Sequence, residues 1–304
     1  MKVLVTNDDG VSSRGLHALA RALIDAGYDV VVAAPDREMS GMSAAIGQVH
    51  VDEAIDAEPV DLPRLEGVPC YAVAGPPGLC VLAARLGGFG EPPGLVVSGV
   101  NPGCNTGRAV LHSGTVGAAL TAANFGASGI AVSIDVSTLL IHEQAGAADL
   151  PTIDGGGAVA EVVADVEAAA EGQPAERFDR PAQWDVAATV AASFVDWVVA
   201  APKGTVLNVN VPNRPLDQLA GVRSGQLAPF GTVRTGVVEA ASPSSGRLQL
   251  ELRPTRDEMP PESDSALVKQ GFVAITALTG VGIDSDADLA GALDALPRPG
   301  RRTA

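Results

Sequence analysis

Three observations along this 304-residue chain predict an α/β fold built on a doubly wound, largely parallel sheet. Short apolar runs that read as buried strands alternate with helical segments, and glycines and prolines punctuate the boundaries. Polar, glycine-rich loops follow several of those strands. Such alternation favours parallel strands covered by helices on both faces.

The elements follow in order. Val3-Leu4-Val5-Thr6 is a buried strand that ends in Asn7-Asp8-Asp9-Gly10. Leu16, Leu19, Ala20, Leu23 and Ile24 then recur at helical spacing, with Gly27 where a helix terminates. Asp29 to Ala34 is a second strand, stopped by Pro35, and Gly78 to Leu86 forms a short helix behind Pro76-Pro77. Leu95 to Ser98 is a strand, Ser113 to Phe125 a helix of small residues, and Ile130 to Ser133 a further strand. From Asp185 onward, Val186, Val190, Phe194, Trp197 and Val198 define one helical face. Val206 to Pro212 and Phe272 to Thr276 are later strands. Residues 221–252 read as short strands and turns, an extended β-hairpin segment in which Leu248, Leu250 and Leu252 alternate with polar residues and need a partner surface.

Residues 137–183 interrupt this rhythm with a triple glycine and acidic, alanine-rich sequence, and are expected to be a peripheral insert. Val159 to Ala170 within it has helical character. The stretch 137–184 carries net −7, as much as the whole of residues 1–136, out of a total of −16. The organisation expected is therefore one domain over 1–278 with that insert, followed by a frayed tail over 279–304. Asp284, Asp286 and Asp288 mimic the start of a calcium loop, but Leu289 and Ala295 stand where glycine and glutamate are needed.

Composition excludes several classes. A net charge of −16 argues against nucleic-acid polymers, which need basic surface. No run reaches the length of a membrane span. Cys70, Cys80 and Cys104 are odd in number and lack C-x-x-C spacing, and the chain enters a strand at Val3 with no leader. A cytoplasmic protein with reduced thiols is expected.

The Asp8-Asp9 pair is the most informative feature. In a Rossmann-like doubly wound sheet, ligands bind beyond the carboxyl ends of the strands. Two adjacent carboxylates there repel unless a cation lies between them; the alternative is an ordinary Asp-Asp-Gly turn. Three more loops follow strands and can converge on the pair: Pro35 to Gly41, Ser98 to Gly107, and His112 to Gly117. The second is rich in glycine and amides, and the third opens a helix whose free N–H groups suit an anion.

Thr6-Asn7-Asp8-Asp9-Gly10, Arg37-Glu38-Met39-Ser40-Gly41, Ser98-Gly99-Val100-Asn101 and Ser113-Gly114-Thr115-Val116 together resemble, in order, the SurE (survival protein E) family of metal-dependent nucleotidases. Leu207 to Pro212 and Gly271 to Thr276 look like that family's later segments. The resemblance implies a phosphomonoesterase acting on nucleoside monophosphates, or a related small phosphomonoester, through a metal-activated water. It implies one divalent cation per subunit, Mg²⁺ or Mn²⁺, held by Asp8, Asp9, Ser40 and Asn101, all oxygen donors suited to a hard ion. Asp8 and Asp9 are then the catalytic carboxylates, with Asp9 positioning or deprotonating the water. Asn105, Ser113, Gly114 and Thr115 would hold phosphate oxygens, and Asn7, Arg37, Gly41 and Arg108 complete the substrate contacts. A homodimer or homotetramer is also implied.

The chain departs from the family pattern at Ala44, where a histidine is usual. It departs again in Gly75-Pro76-Pro77-Gly78-Leu79-Cys80, which lacks the usual threonine and aspartate, and in 223–252, poor in aromatic and basic residues. Two other readings stand beside the nucleotidase. One is a metal-dependent deacetylase or a haloacid-dehalogenase-type phosphatase, which also use carboxylates after the first strand, although Asn7-Asp8-Asp9 lacks the Asp-x-Asp nucleophile pair of the latter. The other is a non-catalytic nucleotide or phosphate binder.

Overall fold

The computed structural model describes residues 1–47, 54–136, 182–230 and 258–280, together with the backbone of 233–239 and 249–254. Its centre is strand β1 (Lys2–Thr6), flanked by β2 (Asp29–Pro35) and β5 (Leu95–Pro102). Beyond these lie β3 (Ala57–Pro59), β4 (Cys70–Val73), β6 (Ser128–Asp135), β7 (Val206–Pro212), β8 (Val222–Ser224) and β11 (Val273–Leu278). The nine strands run in the order β3-β4-β2-β1-β5-β6-β7-β11-β8. From β4 through β7 every neighbouring pair is parallel, and the antiparallel pairings fall at β3–β4 and β7–β11.

Strand alternation divides the core between the two sheet faces. Val3 and Val5 pack with Leu16, Leu19 and Leu23 of α1 (Arg14–Asp25) and with Ala187 and Ala191 of α4 (Trp184–Ser193). Leu4 packs on the opposite side with Cys80 and Ala84 of α2 (Pro77–Arg85) and Ala118 and Ala122 of α3 (Gly114–Asn124). Small residues let these helices approach closely: a Cβ on Gly15 would collide with the Val100 carbonyl, and one on Gly117 with the Ser43 and Ala44 backbone. Parallel strands with helices on both faces give the doubly wound architecture that the alternation predicted.

Four features differ from the sequence expectation. The helical face running through Trp197 is broken at Phe194, where α4 ends and α5 (Val195–Ala200) begins. The Phe194 N–H is shared by the Ala191 and Ala192 carbonyls, which resets the helical phase. Val198 stays buried while Trp197 turns outward, 56% exposed. Strands β3 and β4 were not anticipated, nor was α6 (Asp264–Lys269). Residues 222–224 join the main sheet as edge strand β8, so the two-stranded hairpin comprises only β9 (Val233–Glu239) and β10 (Gln249–Pro254). The insert's helical stretch and the Asp284 to Asp288 cluster fall outside the described residues.

Candidate active site

The carboxyl ends of β1 and β5 are adjacent, because Thr6 pairs with Ser98 in parallel register. Asp8 and Asp9 lie just past one end and Asn101 at the other, all three buried. The turn carrying the carboxylates is held from within. Asn7 Nδ2 donates to Ser13 Oγ at 2.6 Å and to the Gly10 carbonyl at 3.1 Å, while Ser13 caps α1 by accepting from the Leu16 N–H. Asn7 therefore acts as a strut for the turn. Gly10 sits at φ +97°, a backbone conformation that favours glycine.

The second loop is tied to the same point. The Met39 N–H donates to the Asp8 carbonyl at 2.7 Å, and the Ser40 N–H donates to Glu38 Oε1 at 2.6 Å. Ser40 is half-buried, while Gly41 and Arg37 are exposed, with the Arg37 guanidinium on Asp36. The helix that opens the third loop presses on Asp8 directly. A Cβ on Gly114 would stand 2.7 Å from Asp8 Oδ2, so only glycine allows the N-terminus of α3 to come this near. Thr115 Oγ1 donates to Asp8 Oδ1 at 2.5 Å. Ser113 is the N-cap, its Oγ accepting from the Val116 N–H at 3.1 Å, and its own hydroxyl proton is left to donate elsewhere.

Burial raises the Asp8 carboxyl from 3.8 to about 6; the Thr115 hydrogen bond works against this, and repulsion from Glu38 adds to it. A buried carboxylate beside further acidic groups suits a cation. The remaining donors agree with that chemistry. Asn101 commits its Nδ2 to the Gly103 carbonyl at 2.7 Å, which leaves Oδ1 as its acceptor atom. Among the described residues no group of three or more His, Cys, Asp or Glu could hold a metal. The candidate set is instead two carboxylates, a hydroxyl and an amide oxygen. An all-oxygen set of this kind suits a hard divalent cation better than zinc, whose sites favour His and Cys.

Asn105 is also buried, its Nδ2 on Ser133 Oγ at 2.9 Å. Arg108 is exposed, in the 3-10 turn Gly107–His112 that leads into Ser113. The structure thus gathers the Asp8-Asp9 turn, the Ser40 loop, Asn101 and the start of α3 beyond the carboxyl ends of the central strands, and leaves Arg37 and Arg108 at the surface. Thr115 directs its hydroxyl at Asp8, so only its N–H is available to an anion.

Not evident from the sequence were the repulsion of Glu38 on Asp8 and the capping role of Ser13, although a Ser just ahead of an apolar helix is a readable N-cap signal. Nor was Asp264, a buried carboxylate that accepts from the N–H groups of Gly107, Ala228 and Ser265 at 2.8–2.9 Å. No local pattern announces that contact, since Gly107 and Asp264 are joined only by the fold.

The family model described as Survival protein SurE matches residues 3–232. A 5'-nucleotidase SurE from Xylella fastidiosa (strain M12) is 34% identical over 229 residues, covering 75% of this chain and 70% of the relative. One from Dehalococcoides mccartyi (strain CBDB1) is 30% identical over 280 residues, covering 91% and 88%. Among solved structures, the crystal structure of Sure protein from Aquifex aeolicus superposes with a TM-score of 0.66 over 97% of this chain and 98% of that one. At 24% identity this last likeness bears on the fold alone.

Proposed function

The chain belongs to the SurE family, and on that footing we propose that it is a 5'-nucleotidase, hydrolysing nucleoside monophosphates to nucleoside and phosphate. The observation that carries this reading is the contact between Asp8 and the N-terminus of α3. A cation-binding carboxylate and an anion-binding helix start share one wall, which is what a phosphate held on a cation needs.

The residues divide the work. Asp8, Asp9, Ser40 and Asn101 hold the divalent cation, Mg²⁺ or Mn²⁺, one per subunit. When bound, that ion supplies Lewis acidity toward the phosphoryl group and toward water. The Ser113 hydroxyl, the N–H groups of Gly114 and Thr115, and the Asn105 amide orient the phosphate oxygens. Thr115 fixes the Asp8 carboxylate through Oγ1. Asp9 positions the attacking water and takes its proton as oxygen adds to phosphorus in line, and the departing nucleoside oxygen takes up a proton from solvent to leave as the hydroxyl. Gly41 lets the Ser40 loop pass close to the substrate, and Arg37 and Arg108 attract the anion from the rim. Asn7 contributes by holding the turn.

The same reading extends to organisation. Residues 1–278 act as one domain with a peripheral insert at 137–183, and the hairpin segment within 221–252 joins subunits into a homodimer or homotetramer. The three cysteines are free, and no described helix is long and apolar enough to cross a membrane, which supports a cytoplasmic enzyme. A phosphate-release assay over nucleoside monophosphates, with Mn²⁺ or Mg²⁺ and with EDTA, tests the proposal. Metal-dependent turnover is expected. Nucleotide binding without phosphate release would establish the non-catalytic alternative instead.

A further inference from the structure

The backbone of the Asn105 loop is anchored in an unusual way. Two side chains on β7, Asn208 and Asn210, both donate their Nδ2 hydrogens to the single carbonyl oxygen of Asn105, at 2.8 and 3.0 Å. Two residues apart on one strand, they point to the same face. Ser133, which accepts from the Asn105 side chain, pairs directly with Asn210 across β6 and β7. Asn105 is therefore gripped at its carbonyl and at its amide by neighbouring rungs of the sheet. The next two residues are pinned from α6, through Ser265 Oγ to Thr106 Oγ1 at 2.9 Å and the Gly107 N–H to Asp264 Oδ2 at 2.8 Å.

This arrangement costs stability. Asn208 and Asn210 are fully buried, and each keeps an Oδ1 atom with no hydrogen-bond partner among the described residues. A buried amide oxygen without a partner is unfavourable, and an apolar residue at either strand position would avoid the loss. A pair of asparagines that desolvate their amides to hold one loop carbonyl points to a demand from the site.

We propose that Asn208 and Asn210 are positioning residues for substrate binding: by fixing the Asn105 carbonyl they set the direction of the Asn105 amide toward the phosphate. The inference rests on the reading of Asn105 as a phosphate contact. It assigns part of the substrate geometry to β7, a strand whose own loop carries none of the candidate ligands.

The test compares Asn105→Ala, Asn208→Ala, Asn210→Ala and the Asn208→Ala/Asn210→Ala double variant. The readouts are steady-state kinetics on a nucleoside monophosphate, inhibition by inorganic phosphate, the Mn²⁺ concentration for half-activity, and thermal melting. Asn105→Ala and the double variant are each expected to raise KM and the phosphate inhibition constant about tenfold, as one directed hydrogen bond would. The Mn²⁺ requirement should stay within about twofold. Melting should fall by a few degrees, because the buried Asn105 carbonyl loses its donors and two buried side chains are truncated, so the rise in KM is the deciding readout. A purely structural role would lower melting and leave KM alone. Should the double variant not fold, the single variants carry the test, each raising KM about threefold. Folded β7 variants with unchanged KM, beside an impaired Asn105→Ala, overturn the positioning role. An unchanged Asn105→Ala removes its premise and so overturns it as well, while loss of activity in Asp8→Asn would leave the nucleotidase reading standing.

Discussion

Replacing Asp8 by asparagine separates what the carboxylate contributes to chemistry from what it costs the fold. In the metal-free protein, burial holds this carboxyl at about 6 against an ordinary 3.8. A raised carboxyl is a cost that appears with rising pH. Below about pH 4 the group is protonated in both the folded and unfolded chain. Between there and pH 6 the unfolded chain releases its proton while the folded one keeps it, so stability falls; above pH 6 the loss is complete. With each pH unit worth about 1.4 kcal/mol, the loss is about 3 kcal/mol. In a chain of this size that corresponds to roughly 5–10 °C in melting temperature. The amide of the Asp8→Asn variant cannot titrate, and its oxygen still accepts from Thr115. Melts in EDTA from pH 4 to 8 should therefore show wild type losing several degrees relative to Asp8→Asn as pH rises, even though the variant is inactive. Mn²⁺ should restore the wild type at pH 7.5 and leave the variant unmoved. Parallel curves for the two metal-free proteins would refute the reasoning.

Other consequences can be checked separately. Gly114→Ala puts a methyl group 2.7 Å from Asp8 Oδ2, and should lower phosphate release by at least about a hundredfold and melting by a few degrees, because α3 and Asp8 must move apart. Asp9→Asn should lose activity by about a hundredfold or more at saturating Mn²⁺, measured by phosphate release; full activity would remove Asp9 from the chemistry. Replacing residues 137–183 with a short Gly/Ser linker should keep most of the activity and a single cooperative melt, and a folded but inactive product would show that the insert covers the site. Light scattering at micromolar concentration should give a dimer or larger, and a fully active monomer would refute subunit exchange through the hairpin.

What the sequence made legible follows the range of the forces involved. The central strands, α1, α2 and α3 were readable because each is specified by its own residues: apolar runs, helical spacing at Leu16 to Leu23, and terminus signals at Gly27 and Ser113. Strands β3 and β4 were not, because a four-residue run such as Cys70 to Val73 becomes a strand only when β2 offers an edge. The direction of β11 was equally hidden, since antiparallel pairing with β7 is decided by the connection and not by the pattern Val273 to Leu278. At the site, the residue types were readable and their duties were not. Thr115 looked like a phosphate ligand, yet its hydroxyl goes to an aspartate 107 positions away in the chain. Asn208 and Asn210 were legible only as part of the strand Val206 to Pro212, and their shared bond to the Asn105 carbonyl appears only in the fold.

The charge balance explains why the site needs this construction. A chain of net −16 must bind an anion, and Glu38 adds to the repulsion around Asp8. Long-range attraction cannot come from the surface as a whole, where distant charges are screened within about 8 Å. The attraction has to be generated locally, and each local element has a defined source. Burial makes Asp8 a poor place for bare negative charge, so on the proposed assignment a divalent cation would be bound more readily than by an exposed aspartate pair. Gly114 brings the positive end of α3 against the same carboxylate, and the Ser113 and Thr115 hydroxyls fix its cap and its orientation. The result is a small electropositive spot, present only when the cation is bound, inside a protein that repels anions elsewhere. Phosphate discrimination should then depend on metal occupancy: inorganic phosphate should bind the Mn²⁺-loaded protein at least about tenfold more tightly than the protein in EDTA. Equal binding in both states, measured by calorimetry, would show that α3 and the rim arginines suffice and that the carboxylate pair serves another purpose.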